Sequence, residues 1–212
     1  MTYKNIIVDK KKGYAVIRFN RAHEMNALSK EMRLEFNDAL LDVENDPEIK
    51  ALVITGGEYV FSAGMDIKEM SLLSNVEIDD YFESMKRYLK KIYTFPKPVI
   101  AAVGGIALGG GFNIVTVCDL IIASESAIFC HPELKFGFSP LFYPLSQIVG
   151  VNKAKEITML GEPIGAKEAE RIGLVNKVAP PEKFMQEAEK VAQTLSMRSA
   201  KVIEELKNIC AV

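Results

Sequence analysis

Phe61-Ser62-Ala63-Gly64-Met65-Asp66-Ile67 and Gly109-Gly110-Gly111-Phe112-Asn113 decide how this chain is read. Each follows an apolar, strand-like run: Ala51-Leu52-Val53-Ile54-Thr55-Gly56-Gly57 for the first and Pro98-Val99-Ile100-Ala101-Ala102-Val103-Gly104-Gly105 for the second. Each then opens into a helical pattern, and the chain between them has the length of one helix and one strand. The first N–H groups of a helix lack intrahelical acceptors, so both segments can present backbone donors where negative charge develops. Two such donors aimed at one oxygen make an oxyanion hole. A phosphate-binding loop is disfavoured, because no Lys-Ser or Lys-Thr follows the triplet and the glycines do not fit GxGxxG.

Outward from these segments, βα alternation repeats without a fixed sequence period. Asn5-Ile6-Ile7-Val8 and Tyr14-Ala15-Val16-Ile17-Arg18-Phe19 alternate as strands around a Lys10-Lys11-Lys12-Gly13 turn, which predicts an opening hairpin. Ser29 caps a helix whose Met32, Phe36, Leu40 and Val43 form a core stripe, and which ends near Asn45-Asp46-Pro47. A second amphipathic helix is expected over Ile78 to Tyr93, with Tyr81, Phe82, Met85, Leu89 and Ile92 on or near one face. Short strands follow at Asp119 to Ala123 and Ala127 to Phe129. From Leu141 the chain reads as mostly helical, with a late strand over Val175 to Val178, a break at Pro180-Pro181, and helices near Glu182 to Leu195 and Ser199 to Ile209.

With 212 residues, 49% of them hydrophobic and 25% charged, the chain can bury a sizeable core in one compact unit. A net charge of −2 gives no electrostatic reason to expect nucleic acid. The three cysteines, Cys118, Cys130 and Cys210, lack CxxC spacing, and the first two suit buried thiols; no metal site is expected. Neither a signal-peptide core nor a membrane-length apolar run is evident, so a cytoplasmic protein without membrane contact is expected.

Together with Asn26-Ala27-Leu28-Ser29, His131-Pro132-Glu133 and Ala166-Lys167-Glu168-Ala169-Glu170-Arg171-Ile172-Gly173-Leu174-Val175, the two glycine segments resemble the crotonase family, the enoyl-CoA hydratase and isomerase superfamily. The resemblance runs in order from about Asn5 to about Val202. It implies an α/β fold: a spiral of repeated ββα units with a helical C-terminal part, residues 1–178 forming the core and 179–212 the start of a C-terminal helical segment. Members of the family continue for several tens of residues past the equivalent of Ile209, so a truncated C-terminal segment is expected. Assembly as a homotrimer or hexamer is also implied.

The resemblance further implies an acyl-CoA substrate and no prosthetic group, coenzyme A entering as part of the thioester. By motif, the oxyanion donors are the backbone N–H groups of Met65 and Gly110. Met25, Ala27, Ala63, Asp66, Ile67, Lys68, Gly109, Asn113, Pro132 and Leu141 are expected to line the substrate. Hydratases of the family carry two glutamates, one two residues beyond the glycine triplet and one after a proline. Here the second is Glu133, but the first is Asn113. An amide cannot exchange protons as a carboxylate does. One carboxylate suffices for a 1,3-proton shift, and enoyl-CoA isomerisation by Glu133 is the leading expectation. Burial beside Phe129, Leu134 and Phe136 is expected to tune that glutamate.

The alternatives are a hydratase or hydratase-lyase using one glutamate, a catalytically impaired CoA-binding protein, and a decarboxylase. Leu141, eight residues after Glu133, stands where dienoyl-CoA isomerases and some hydrolases place an acid. His131 is expected to pack at a strand end, with a hydrogen bond to Glu133 as the lesser reading. Arg21, His23 and Lys68 are candidates for CoA phosphates or plain surface charges.

Overall fold

The parallel strands are buried on both faces, which is why Ala51–Ile54 and Val99–Val103 read as unbroken apolar runs. The computed structural model describes residues 3–210. In chain order it contains β1 (Ile6–Lys11), β2 (Gly13–Phe19), α1 (Lys30–Asn45), β3 (Ile49–Thr55), β4 (Val60–Ser62), α2 (Ile67–Met70), α3 (Asn75–Tyr93), β5 (Val99–Val103), β6 (Ile106–Leu108) and α4 (Gly110–Thr116). There follow β7 (Leu120–Ser124), β8 (Ile128–Cys130), a 3-10 turn (Glu133–Phe136), α5 (Phe142–Val149), α6 (Val151–Leu160), β9 (Ile164–Gly165), α7 (Ala166–Arg171), β10 (Lys177–Ala179), α8 (Phe184–Ser196) and α9 (Ala200–Cys210).

A six-stranded sheet runs in the order β1-β2-β3-β5-β7-β10, and a four-stranded sheet in the order β4-β6-β8-β9. The opening hairpin is antiparallel, with Lys11 opposite Tyr14. The rest of the large sheet is parallel. In three successive passes, β3-β4, β5-β6 and β7-β8, the chain crosses from the large sheet to the small one and then returns through helical segments. This is the expected spiral of ββα units. The short strands β4 and β6 stand between the long apolar runs, which end at Gly56-Gly57 and Gly104-Gly105, and the glycine segments. Phe61 and Ser62 accordingly belong to β4, not to the loop.

Alternate residues of the large sheet serve two cores. Leu52 and Ile54 face the main core, with Met32, Phe36, Leu40 and Val43 of α1 and Tyr81, Met85, Tyr88, Leu89 and Ile92 of α3. Ala51 and Val53 face α8, whose Phe184, Ala188 and Ala192 close a second apolar layer. Ser29 caps α1 as the sequence predicts, its Oγ accepting from Met32 N–H at 3.3 Å. Two expectations change in the second half of the chain. The region after Leu141 includes β9, which pairs antiparallel with β8, and the late strand begins at Lys177. A two-residue strand carries no periodicity for the sequence to display; it exists because β8 offers it an edge. Among the described residues, no helix is long and apolar enough to cross a membrane.

Candidate active site

The first glycine loop is held by hydrogen bonds from residues far away in the chain. Asn26 sits at φ 50°, a left-handed conformation that asparagine tolerates better than most residues. Its buried Nδ2 donates to the carbonyls of Gly56, Val60 and Phe61 at 3.1, 3.0 and 3.2 Å. Ser62 Oγ donates to Asn26 O at 2.8 Å and accepts from Gly64 N–H at 3.1 Å. Ala63 N–H reaches Met25 O at 2.9 Å, and Leu28 N–H reaches Gly64 O at 2.8 Å. Because a trans peptide is planar, fixing Gly64 O toward Leu28 aims the Met65 N–H away from it.

A further layer fixes Leu28 itself. Its carbonyl accepts from Tyr81 Oη at 3.0 Å and from Arg33 Nη1 at 2.6 Å. Tyr81 Oη also accepts from Asp66 N–H at 3.0 Å. The Arg33 guanidinium lies 3.7 Å from the centre of the Tyr81 ring, and its Nε donates to Ser84 Oγ at 2.8 Å. Burial, opposed by Arg33, pushes the Tyr81 phenol up to about 12, so it stays a neutral hydrogen-bonding group.

The second glycine loop is shaped by proximity. A Cβ on Gly111 would stand 2.3 Å from Ser62 O, so only glycine lets α4 start against β4. Gly64, at φ +89°, is equally constrained: a Cβ there would lie 2.7 Å from Leu108 O and 2.8 Å from Gly110 N. The two loops therefore touch, and Gly110, in the first turn of α4, carries an N–H with no intrahelical acceptor.

Glu133 opens the 3-10 turn after β8 and is 5% exposed. Its Oε1 lies 3.6 Å from the Cβ position of Gly109, which puts the carboxylate beside the second loop. Its expected apolar surroundings need correction. Phe129 is buried, but Leu134 is 48% and Phe136 64% exposed, because the tight 3-10 turn sends successive side chains in different directions. His131 keeps its expected packing role at the end of β8 and adds the contact with Glu133 that the sequence offers as the lesser reading. Its fully buried ring packs on Phe112, with ring centres 4.5 Å apart, and its Nδ1 lies 3.1 and 3.2 Å from the two Glu133 oxygens. Burial pushes the neighbouring Cys130 thiol up, keeping it uncharged.

The structure brings Gly64, between Ala63 and Met65, against Gly110, and sets Glu133 beside Gly109. Asn113 sits on α4, buried, with Oδ1 unpartnered among the described residues. Pro132 leads into the Glu133 turn, and Leu141 precedes α5 and packs on the main core. Met25 and Ala27 enter through their backbones: Met25 O holds Ala63, and Ala27 O accepts from Arg21 Nη1 at 2.7 Å. The Asp66 carboxylate is committed elsewhere, capping α2 through Glu69 N–H at 3.2 Å and pairing with Arg21 at 3.0 Å. Arg21 is thus an internal strut, a role the sequence reading did not weigh. Ile67 is 67% exposed, and Lys68 pairs with Glu24 at the surface at 2.9 Å. Asn26, Arg33 and Tyr81 had no catalytic signature; the one available hint was Asn26 inside the quoted Asn-Ala-Leu-Ser motif.

Comparison with known proteins identifies the family of the chain as a whole. The family model described as enoyl-CoA hydratase/isomerase matches residues 9–211. A crotonyl-CoA hydratase of Syntrophomonas wolfei is 42% identical over 196 residues, covering 91% of this chain and 75% of the relative. A short-chain-enoyl-CoA hydratase of Clostridium acetobutylicum is 39% identical, covering 92% and 76%. Among solved structures, an enoyl-CoA hydratase from Bacillus anthracis superposes with a TM-score of 0.93 at 30% identity, covering 97% of this chain and 81% of the other. An enoyl-CoA hydratase/isomerase from Xanthobacter autotrophicus Py2 gives 0.93 at 34% identity, covering 99% and 80%. With a match across nearly its whole length and the same spiral of strands, this chain belongs to the enoyl-CoA hydratase/isomerase family, the crotonase superfamily of enzymes.

Proposed function

We propose that this enzyme moves the double bond of an enoyl-CoA thioester, with Glu133 as the single proton carrier. The observation that carries the reading is one buried carboxylate beside Gly109, with the amide Asn113 on α4 where a second carboxylate would be needed to handle water. The N–H groups of Met65 and Gly110 bind the thioester oxygen and stabilise the enolate that forms when a proton leaves the α carbon. Glu133 takes that proton and returns it at the γ carbon, so the double bond shifts and no atom is gained or lost. Coenzyme A is carried by the substrate. Ala63, Gly109, Asn113, Pro132 and Leu141 bound the acyl group, with Met25, Ala27, Asp66, Ile67 and Lys68 on the approach to it.

Hydration by the same glutamate is the second reading, favoured by the relatives named as hydratases. Incubation with a 3-enoyl-CoA and, separately, a 2-enoyl-CoA distinguishes the two by chromatography and mass. Double-bond migration without mass gain is the expected result, and addition of water would replace isomerisation with hydration. Glu133→Gln is expected to lower kcat by about 10²- to 10⁴-fold while leaving CoA binding in place.

A further inference from the structure

We infer that His131 is a positioning residue for Glu133: a neutral imidazole whose Nδ1–H donates to the carboxylate and holds it beside Gly109. The inference rests on the reading of Glu133 as the base. Nδ1 lies 3.1 and 3.2 Å from the two carboxylate oxygens. An ionised carboxylate only accepts hydrogen bonds, so the hydrogen belongs on Nδ1. The other nitrogen, Nε2, is buried without a partner among the described residues. A hydrogen there would be a stranded buried donor, whereas a bare lone pair is the better tolerated of the two.

The imidazole is itself immobilised. Its ring is fully buried and packs on Phe112, with ring centres 4.5 Å apart and planes at 33°. Phe112 follows the glycine triplet on α4, and Gly109 N–H donates to Cys130 O, the residue before His131, at 2.9 Å. One rigid unit therefore carries the second glycine loop, the imidazole and the carboxylate. A glutamate side chain left to itself has three rotatable bonds to fix before it reaches a substrate carbon. Fixing it in advance keeps the reacting atoms in the geometry that proton transfer needs. During the proposed reaction the substrate proton travels on the carboxylate, and His131 keeps its own hydrogen throughout.

Two substitutions separate this role from mere packing. His131→Asn retains an N–H donor close to the Nδ1 position but places an amide in the core; His131→Leu fills the space without a donor. Positioning predicts that the Leu variant loses kcat by about 10- to 100-fold, the scale of one charge-assisted hydrogen bond, with KM nearly unchanged, while the Asn variant stays within about threefold of the parent. A packing role predicts the reverse order, with kcat following thermal stability and Leu outperforming Asn; that result overturns the inference. The chain has two histidines, so ¹⁵N NMR of the parent protein, assigned by loss of the His131 signals in His131→Asn, reads the tautomer without any need for turnover. A protonated Nδ1 with bare Nε2 supports the inference; a bare Nδ1 or an imidazolium overturns it. Undiminished turnover in Glu133→Gln would sink the base reading. An inactive Glu133→Gln beside a fully active His131→Leu would sink only the role of His131.

Discussion

The two glycine loops look alike in sequence, yet the structure holds them by different means. The loop at Ala63-Gly64-Met65 is suspended from hydrogen bonds made by Met25, Asn26, Leu28 and Ser62, and braced from outside by Tyr81 and Arg33. The loop at Gly109-Gly110-Gly111 needs few such bonds, because the close approach of α4 to β4 leaves it no other place to go. Close approach constrains both loops, at Gly64 and at Gly111, but the first donor is aimed in addition by polar contacts between distant parts of the chain, while the second depends mainly on sterics. Hydrogen bonds tolerate partial loss and steric exclusion does not, so the two loops should fail in different ways.

Gly111→Ala should break the comparison most severely. Its Cβ would stand 2.3 Å from Ser62 O, a backbone atom that cannot turn aside. Forcing β4 and α4 apart is expected to destabilise the protein by about 3 kcal/mol or more, read as a large fall in Tm or as insoluble expression. A variant as stable as the parent would show that the second loop has slack, and that the contrast is wrong.

Tyr81→Phe tests the polar loop. It keeps the ring under Arg33 but leaves Asp66 N–H without its acceptor and removes one of the two donors to Leu28 O. The expected loss is about 1–3 kcal/mol in denaturant unfolding, the range for a buried group left unpaired. As Leu28 N–H orients the Gly64–Met65 peptide, kcat should fall by about tenfold with KM little altered. A drop in stability with kcat intact would confine Tyr81 to structural support.

The smallest effect belongs to Ser84→Ala. Arg33 loses its Nε partner but keeps its bond to Leu28 O and its place over Tyr81. About 1 kcal/mol of stability is expected to be lost, with kcat within about twofold of the parent. An effect equal to that of Tyr81→Phe would mean that Arg33, not Tyr81, is the principal brace of the first loop.

Most of the long elements were legible in the sequence because their side-chain periodicity is local. Met32, Phe36, Leu40 and Val43 mark one face of α1 whatever they later pack against, and the apolar runs of β3 and β5 announce strands buried on both faces. Glu133 and Asn113 were legible for a different reason, since the motif spacing ties each to a turn or helix that the chain forms locally. The short strands were less visible. Neither β4 nor β6 is long enough to show alternation, and β9 has two residues.

By itself, then, the sequence determined the spiral of strands and helices, the glycine loops, and an acid at position 133 with an amide at position 113. Tertiary structure alone decided which groups hold them. Tyr81 meets Leu28 across 53 positions of sequence, and Arg33 meets Ser84 across 51. Arg21 meets Asp66 across 45. Helix and strand propensities act over a few residues, but a buried hydrogen bond needs its partner within about 3 Å, and only the packed core brings such distant residues that close.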